Sequence, residues 1–306
     1  MSPARSRAVY YLYRGAAAGL GVLPRPVALA LGGGVGRVAA RMSKDRRDVV
    51  ASNFAHVLGK NAPPELLSRV VDDAYSFYGR YWAQVAILRK KHRAQALGNW
   101  EIIDRHYLDQ ALEDGRGVIL ALPHMGAWEV AAAYLAREGI FMSAVAEVLD
   151  PPELFDWFVK RRADLGLTVV PLGGGSASIL LQRLRGGGTV ALLCDRDVTG
   201  DGISVEFFGE TTRVPAGPAV LALRSGAALL PCAVYSEAHN HNVAVLRKPL
   251  DTSRQGSFRE DVSRVTGALI AELEGLIEQA PAQWHAFQAN WPGENGNESA
   301  PSEKKS

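Results

Sequence analysis

The sequence has few of the residues that build disulfides and metal sites. It contains two cysteines in 306 residues, Cys194 and Cys232, too few for a disulfide framework or a four-cysteine zinc site. Each stands in an apolar, strand-like run, so we expect both to be buried reduced thiols, as is typical of a cytoplasmic protein. The motifs H-E-x-x-H and C-x-x-C are absent as well. The sequence therefore predicts no metal site.

A long uninterrupted apolar run is missing too. Arg14 and the Pro24-Arg25-Pro26 step break the apolar N-terminal region. No stretch therefore reaches the roughly 18 residues that a transmembrane helix needs. Arg25 and Arg37 also interrupt the region where a cleaved signal peptide would be apolar, so we expect no such peptide.

The N-terminal region is basic, although the whole chain is almost neutral. Residues 1–50 hold nine Lys or Arg and two Asp or Glu, whereas the formal charge of the chain is +2. We therefore expect residues 1–42 to form one or two amphipathic helices on an anionic membrane surface. A helical hairpin packed on the protein is the alternative. Nucleic acid is a poorer partner, because no platform of aromatic and basic residues appears. The side chains expected at the membrane are Arg5, Arg7, Tyr10, Tyr11, Tyr13 and Arg14.

From about residue 100, short apolar strands alternate with helical segments. The strands are GVILALP, FMSAVAEV, LTVVPL, GTVALLCD, AALLPCAVYS and HNVAVLRKPL. This alternation predicts an α/β fold with a mostly parallel central sheet flanked by helices. We expect one domain over 43–292 and a disordered tail over 293–306, which has too few apolar residues to fold. The helices expected outside the alternating region are 43–58, 64–88, 257–279 and 281–290. A long polar loop is expected after the strand GTVALLCD.

Polar residues follow the predicted strands. In open parallel sheets the functional site lies at the carboxyl ends of the strands. His124 follows the first strand, Glu147 the second, and the run Asp195-Arg196-Asp197 the fourth. We therefore expect these side chains to gather at one edge of the sheet.

The run from His124 to Glu129 has the spacing H-x-x-x-x-E. On a regular helix two residues so spaced point about 140° apart. They can meet only if His124 lies in the turn before a helix and Glu129 in its first turns. Glu129 would then hold one imidazole nitrogen and leave the other as a general base. A lone histidine is more often structural, and that alternative stays open here. No G-x-S-x-G nucleophile motif is present, so this base suits direct attack by a substrate hydroxyl on an activated acyl group.

Four segments together resemble the lipid A late acyltransferase family, and within it the actinobacterial phosphatidylinositol mannoside acyltransferases. The resemblance extends over roughly residues 40–292, and the sequence lacks the N-terminal transmembrane anchor of proteobacterial members. The segments are LPHMGAWE at 122–129, the stretch from CDRD to AVLA at 194–222, GAALLPCAVY at 226–235 and PAQWHAFQANW at 281–291.

The resemblance implies an O-acyltransferase that needs no cofactor. It would transfer a fatty acyl chain, palmitoyl in our expectation, from acyl-CoA as co-substrate to the 6-hydroxyl of mannose in phosphatidylinositol mono- or dimannoside. His124 matches the histidine base of the family motif, with Glu129 as its partner. The protein would act as a monomer at the cytoplasmic face of the plasma membrane, as a peripheral protein.

Six further residues are candidates for substrate binding. Carboxylates after the strands would bind sugar hydroxyls, unless they cap helices or form loop salt bridges. Arginines would meet the phosphates of coenzyme A or inositol, unless they are solvated helix ends. The candidates are Glu147, Asp195 and Asp197 for the sugar, and Arg162, Arg196 and Arg224 for phosphate.

Other functions remain open at this stage. No sequence feature identifies the acceptor of a glycolipid O-acyltransferase, so a lipid A-type acceptor is an alternative. A glycerolipid acyltransferase also uses a related histidine motif, although the long stretch around DRD and FFGE argues against it. A membrane-surface binding protein without catalysis is the alternative of another class, and in it His124 and Glu129 would be replaceable.

Overall fold

The computed structural model describes residues 3–88, 90–148, 150–237 and 241–292, without the side chains of 3–9 and 90–92. The expected disordered tail, 293–306, lies outside the described residues, as do the side chains of Arg5 and Arg7.

The described strands form a seven-stranded sheet and a separate two-stranded hairpin. The order in the sheet is β1-β9-β8-β2-β5-β3-β4, and β6 pairs with β7 in the hairpin. The strands are β1 (Trp100–Ile103), β2 (Val118–Leu122), β3 (Met142–Ala146), β4 (Leu167–Pro171), β5 (Thr189–Leu193), β6 (Ile203–Phe207), β7 (Glu210–Val214), β8 (Ala228–Ser236) and β9 (Asn242–Leu246).

Helices cover both faces of this sheet. Buried apolar residues form one cluster with α9, α10 and α11 and a second cluster with α6 and α7 on the opposite face. The helices are α1 (Pro3–Val22), α2 (Arg25–Met42), α3 (Lys44–Leu58), α4 (Pro64–Ile87), α5 (Lys90–Ala96), α6 (His106–Glu113), α7 (Trp128–Arg137), α8 (Pro152–Asp164), α9 (Ser176–Arg185), α10 (Gly217–Ser225) and α11 (Phe258–Glu278).

The predicted fold class is confirmed. Strands β4, β3, β5, β2 and β8 run parallel to one another. β9 pairs with β8 in the antiparallel direction, and β1 is parallel to β9. Every residue of β2 is buried, as expected of a central strand that is covered on both faces. Cys194 and Cys232 are buried free thiols, as predicted from their apolar surroundings.

Two predictions for segments outside the sheet are wrong. The stretch after β5 was expected to be a polar loop, yet it contains the β6–β7 hairpin. The expected helix over 281–290 is reduced to a 3₁₀ turn at Pro281–Gln283. Beyond that turn, the backbone N–H of His285 donates to the carbonyl of His124 at 2.7 Å. Long-range hydrogen bonds thus replace the local bonds of a helix in this segment.

Helix α2 packs closely on α4 through glycines. A Cβ atom on Gly36 would lie 2.0 Å from the carbonyl oxygen of Tyr75, and one on Gly79 would lie 2.1 Å from that of Gly32. Only glycine permits such an approach of two helix backbones. The glycine-rich part of α2 therefore faces the protein.

The opposite side of α2 carries exposed apolar side chains at helical spacing. We call this set the α2 stripe, and no charged residue belongs to it. No helix among the described residues is long and apolar enough to span a membrane. The stripe consists of Val27 (46% exposed), Leu31 (49%), Val35 (69%), Val38 (55%) and Met42 (80%).

The glycine contact between α2 and α4 predicts different effects on stability for two similar substitutions. Gly36→Ala should lower the free energy of unfolding by about 1–3 kcal/mol, because the new methyl group forces the two backbones apart. Gly34→Ala is the matched control, since a Cβ there would meet nothing within 4 Å. It should be neutral or stabilise by up to about 1 kcal/mol through helix propensity. Urea denaturation followed by circular dichroism measures both, and equal effects would refute this packing.

Candidate active site

His124 lies in a tight turn between β2 and α7. The turn depends on Gly126, whose φ is +57° and whose Cβ, if it had one, would lie 1.9 Å from the carbonyl oxygen of Val234. The Gly126 N–H donates to the carbonyl of Gln283 at 3.1 Å. Residues 281–291, which we call the C-terminal segment, therefore contact the turn from one side, and β8 bounds it from the other. These contacts fix the direction of the His124 side chain.

Asp195, at the end of β5, is the carboxylate that contacts His124. Its Oδ1 lies 2.7 Å from Nδ1 of the imidazole and accepts the backbone N–H of His124 at 3.0 Å. Its Oδ2 accepts the indole N–H of Trp284 at 2.7 Å. The Asp195 side chain is only 4% exposed, so this carboxylate binds protein groups on both oxygens.

The charge state of Asp195 determines the tautomer of His124. Burial alone would raise the pKa of Asp195, but the charge and hydrogen bond of His124 and the hydrogen bond of Trp284 lower it to about 2. The carboxylate is therefore ionised at neutral pH and can only accept. In the neutral form of His124, Nδ1 must then carry the single proton, which leaves Nε2 with a free lone pair. A ring held in this way can act as a general base.

The structure places Glu129 differently from the expected arrangement. Glu129 is in the first turn of α7, and its Oε1 accepts the Nε–H of Arg162 at 2.6 Å. The carboxylate that binds His124 is Asp195, so the expected contact between His124 and Glu129 is corrected. The cause is the opposite direction of the two side chains: His124 turns towards the end of β5, whereas Glu129 turns towards α8. Glu129 instead fixes the guanidinium of Arg162 over the ring of Trp128.

A cavity of about 430 Å³ opens beside His124. It unites five of the predicted site residues: His124, Glu147, Arg162, Arg196 and Arg224. Its volume is in the range of pockets that hold small ligands. Most of the remaining wall is apolar and comes from β3–β5, α9 and α10, including Ala144, Val169, Leu172, Leu180, Leu192 and Leu221.

Asp195 and Asp197 do not serve as the free sugar acceptors that the sequence suggested. Both oxygens of Asp195 are occupied, as described above. Asp197 accepts the backbone N–H groups of Gly200 and Gly202, each at 2.9 Å, and its side chain is 8% exposed. Asp197 therefore shapes the loop between β5 and β6.

Sequence reasoning missed the side chains that hold the C-terminal segment in place. Asn53 of α3 is fully buried. Its amide group donates to the carbonyls of Ala286 and Gln288, at 2.9 and 2.7 Å, and its carbonyl accepts the N–H of Asn290 at 3.2 Å. The Asn290 side chain in turn donates to the carbonyl of Asp195 at 3.2 Å. A lone asparagine in a helix gives no sequence signal for such a role.

His285 is a second histidine on the cavity wall, but its environment differs from that of His124. It packs against the rings of Tyr78 and Tyr81. Burial, and to a smaller extent the charge of His124, lowers the pKa of His285 to about 3. His285 is therefore neutral at physiological pH. Among the described residues, no group of three or more His, Cys, Asp or Glu is arranged to hold a metal.

The lowered pKa of His285 predicts a pH dependence of stability. In the unfolded chain a histidine takes up a proton near pH 6.5, whereas folded His285 does so only near pH 3. Between these values the unfolded state binds more protons, so the free energy of unfolding falls as the pH falls. This group contributes a slope of up to about 1.4 kcal/mol per pH unit.

His285→Gln should reduce that slope, as measured by urea denaturation at several pH values between about 4 and 6. His106→Gln, at a histidine whose side chain is 64% exposed, is the matched control. Equal slopes for the wild type and the His285→Gln protein would contradict the assignment of a neutral buried His285.

Comparison of the sequence with known proteins identifies the family of this chain. The family model for bacterial lipid A biosynthesis acyltransferases matches residues 2–292. The phosphatidylinositol mannoside acyltransferase of Mycolicibacterium smegmatis is 35% identical over 272 residues, covering 88% of this chain and 86% of the relative. The protein of that name from Mycobacterium tuberculosis H37Rv is 38% identical over 245 residues, covering 78% and 75%. The resemblance seen in the sequence is thereby confirmed: the chain belongs to the bacterial lipid A biosynthesis acyltransferase family and is an O-acyltransferase.

Proposed function

We propose that the protein transfers a fatty acyl chain, palmitoyl in our expectation, from acyl-CoA to the 6-hydroxyl of mannose in phosphatidylinositol mono- or dimannoside. The observation that carries this proposal is the His124–Asp195 pair at the wall of a large, mostly apolar cavity. The printed names of the mycobacterial relatives support the acceptor. Acyl-CoA is the co-substrate, and no cofactor takes part.

The reaction needs a base and no protein nucleophile. Nε2 of His124 takes the proton from the mannose hydroxyl while the hydroxyl oxygen forms a bond to the thioester carbonyl carbon. Asp195 stabilises the imidazolium that results. The tetrahedral intermediate then collapses, the bond between carbon and sulfur breaks, and the coenzyme A sulfur takes the proton from His124. The product is a mannose ester, and the imidazole returns to its starting state.

The cavity wall suggests how the two substrates are divided. The apolar part between the sheet and α9 and α10 suits an acyl chain, since it removes methylene groups from water. Glu147 is exposed at the end of β3 and suits the sugar hydroxyls. Arg162, Arg196 and Arg224 are the cations of the wall and suit the phosphates of coenzyme A or of the inositol lipid.

Replacing either member of the pair should abolish most of the transfer. His124→Ala removes the base and should lower kcat by about 10²–10⁴-fold. Asp195→Asn should lower it by at least about 10²-fold, because an amide no longer fixes the Nδ1–H tautomer. The measurement is coenzyme A release from palmitoyl-CoA, with and without phosphatidylinositol monomannoside.

His106→Ala is the control for that experiment, since His106 lies on the surface of α6. Full acceptor-dependent release by His124→Ala would refute the catalytic assignment. Release that requires a lipid A precursor in place of the mannoside would refute the proposed acceptor.

We also propose that the protein is peripheral to the cytoplasmic face of the plasma membrane and acts as a monomer. The α2 stripe supports the membrane association, because a continuous row of exposed apolar side chains on a helix marks a contact surface. Tyr11 and Leu12 of α1 are also exposed, at 65% and 72%. Arg14, Arg37 and Arg41 supply positive charge on the same two helices.

A change in the stripe should reduce binding to vesicles. The double variant Leu31→Ser, Val35→Ser should bind vesicles of phosphatidylglycerol and phosphatidylethanolamine at least about 10-fold more weakly, because it removes two exposed apolar side chains that would enter the membrane. Co-sedimentation measures the bound fraction. Phe141→Ser, which changes a 67% exposed apolar residue outside the stripe, is the control. An equal loss of vesicle binding in the stripe variant and in Phe141→Ser would contradict the proposal that α2 faces the membrane.

A further inference from the structure

A second recess lies beside the cavity at His124, which we call the reaction cavity. The recess lies between α2, α4 and the C-terminal segment. Tyr81 and His285 line both spaces. The recess is also lined by Arg25 at the start of α2 and by Arg80 and Gln84 of α4. It is therefore adjacent to the place where the proposed reaction occurs, although none of these three residues lines the reaction cavity.

Arg25 is a buried cation with unused donors. Its residue is 2% exposed, and neither Nε nor Nη1 has a hydrogen-bond partner among the described residues. An unpaired guanidinium in such a place costs free energy unless an anion compensates it. The described residues provide no ion pair to Arg25.

The groups around Arg25 add donors. Arg80 is exposed, lies against the ring of Phe77 and raises the positive charge of the recess. Burial, and then the charge of Arg80, lowers the pKa of Arg25, as expected for a buried cation beside a second cation. The amide Nε2 of Gln84 is buried and unpartnered as well.

One carboxylate also lines the recess. Glu237 is held by Nδ1 of His241 at 3.0 Å, and Nε2 of the same imidazole lies 3.9 Å from Glu101. Both carboxylates are more than half exposed and are engaged with this histidine. The donors of Arg25, Arg80 and Gln84 thus remain available to a ligand.

We propose that Arg25, Arg80 and Gln84 bind a phosphate group of a ligand whose other end lies in the reaction cavity. A guanidinium fork offers parallel N–H donors that match phosphate oxygens. The first turn of α2 adds the partial positive charge of a helix N-terminus. Because the α2 stripe begins two residues after Arg25, this site would lie where a membrane lipid presents its headgroup.

Assigning this phosphate to a substrate rests on the proposed function, whereas phosphate binding itself does not. A phosphodiester of an inositol lipid and the phosphates of coenzyme A share the required chemistry. Isothermal titration with three probes separates the sources: dihexanoyl phosphatidylinositol below its micelle concentration, coenzyme A, and inorganic phosphate. The mannose acceptor and acyl transfer are absent from this experiment, so failure of the proposed function leaves its result intact.

We expect the wild type to bind at least one probe. Arg25→Gln and Arg80→Gln should each weaken that binding by about 10-fold or more, the loss typical of a charged hydrogen-bonding partner. Arg69→Gln is the matched control, since it removes an exposed arginine from α4, the helix that carries Arg80. Should Arg25→Gln fail to fold, the exposed position of Arg80 keeps Arg80→Gln decisive.

Thermal unfolding gives an independent measurement. The probe that binds most tightly should raise the Tm of the wild type, and the rise should continue with the logarithm of its concentration above the Kd, since it binds only the folded state. It should raise the Tm of Arg25→Gln or Arg80→Gln much less. Absence of binding by the wild type, or unchanged affinity in both arginine variants, would overturn the proposal. Binding of the inositol lipid but not of coenzyme A would assign the site to a lipid headgroup, and the reverse result would assign it to the acyl donor.

Discussion

One buried carboxylate organises the reactive end of this molecule. Asp195 receives the imidazole and backbone N–H of His124 from the end of β2, and the indole N–H of Trp284 from the C-terminal segment. Its own carbonyl accepts the Asn290 amide. Three distant parts of the chain thus meet on one residue. A buried ionised carboxylate is stable only with such compensation, so the constraint that positions the base also requires the surrounding segments to be in place.

The C-terminal segment is held from several directions. Asn53 binds it from α3, and the Trp284 ring packs against Phe54, Phe207 and Trp291. The β6–β7 hairpin supplies Phe207, so this unforeseen element supports the same indole that donates to Asp195. Aromatic packing of this kind removes freedom from the indole N–H, and it therefore contributes to the orientation of the base as well as to stability.

The sequence predicts the periodic parts of the fold and the position of the base. Helices α3, α4 and α11 match their predicted bounds to within a few residues, because apolar spacing and local capping determine them. His124 could be found because a polar residue follows a buried strand. The partner of His124 could not be found by spacing alone, since the choice between Glu129 and Asp195 depends on which way two side chains turn. Periodicity likewise does not predict that residues 284–291 are non-helical, because the hydrogen bonds of their backbone to His124 and to the Asn53 side chain determine their conformation.

The distance along the chain between these contacts has a consequence for the order in which the protein becomes competent. His124 and Asp195 closely follow β2 and β5, two strands that can pair as soon as both have been synthesised. Trp284 and Asn290 follow about 90 residues later. During translation the Asp195 carboxylate therefore lacks its indole donor, and the Asp195 carbonyl lacks its amide donor, until nearly the last described residue has emerged from the ribosome. Chains that end before Trp284 would lack the indole donor of the Asp195 carboxylate, so the hydrogen bonds that support the base are completed last.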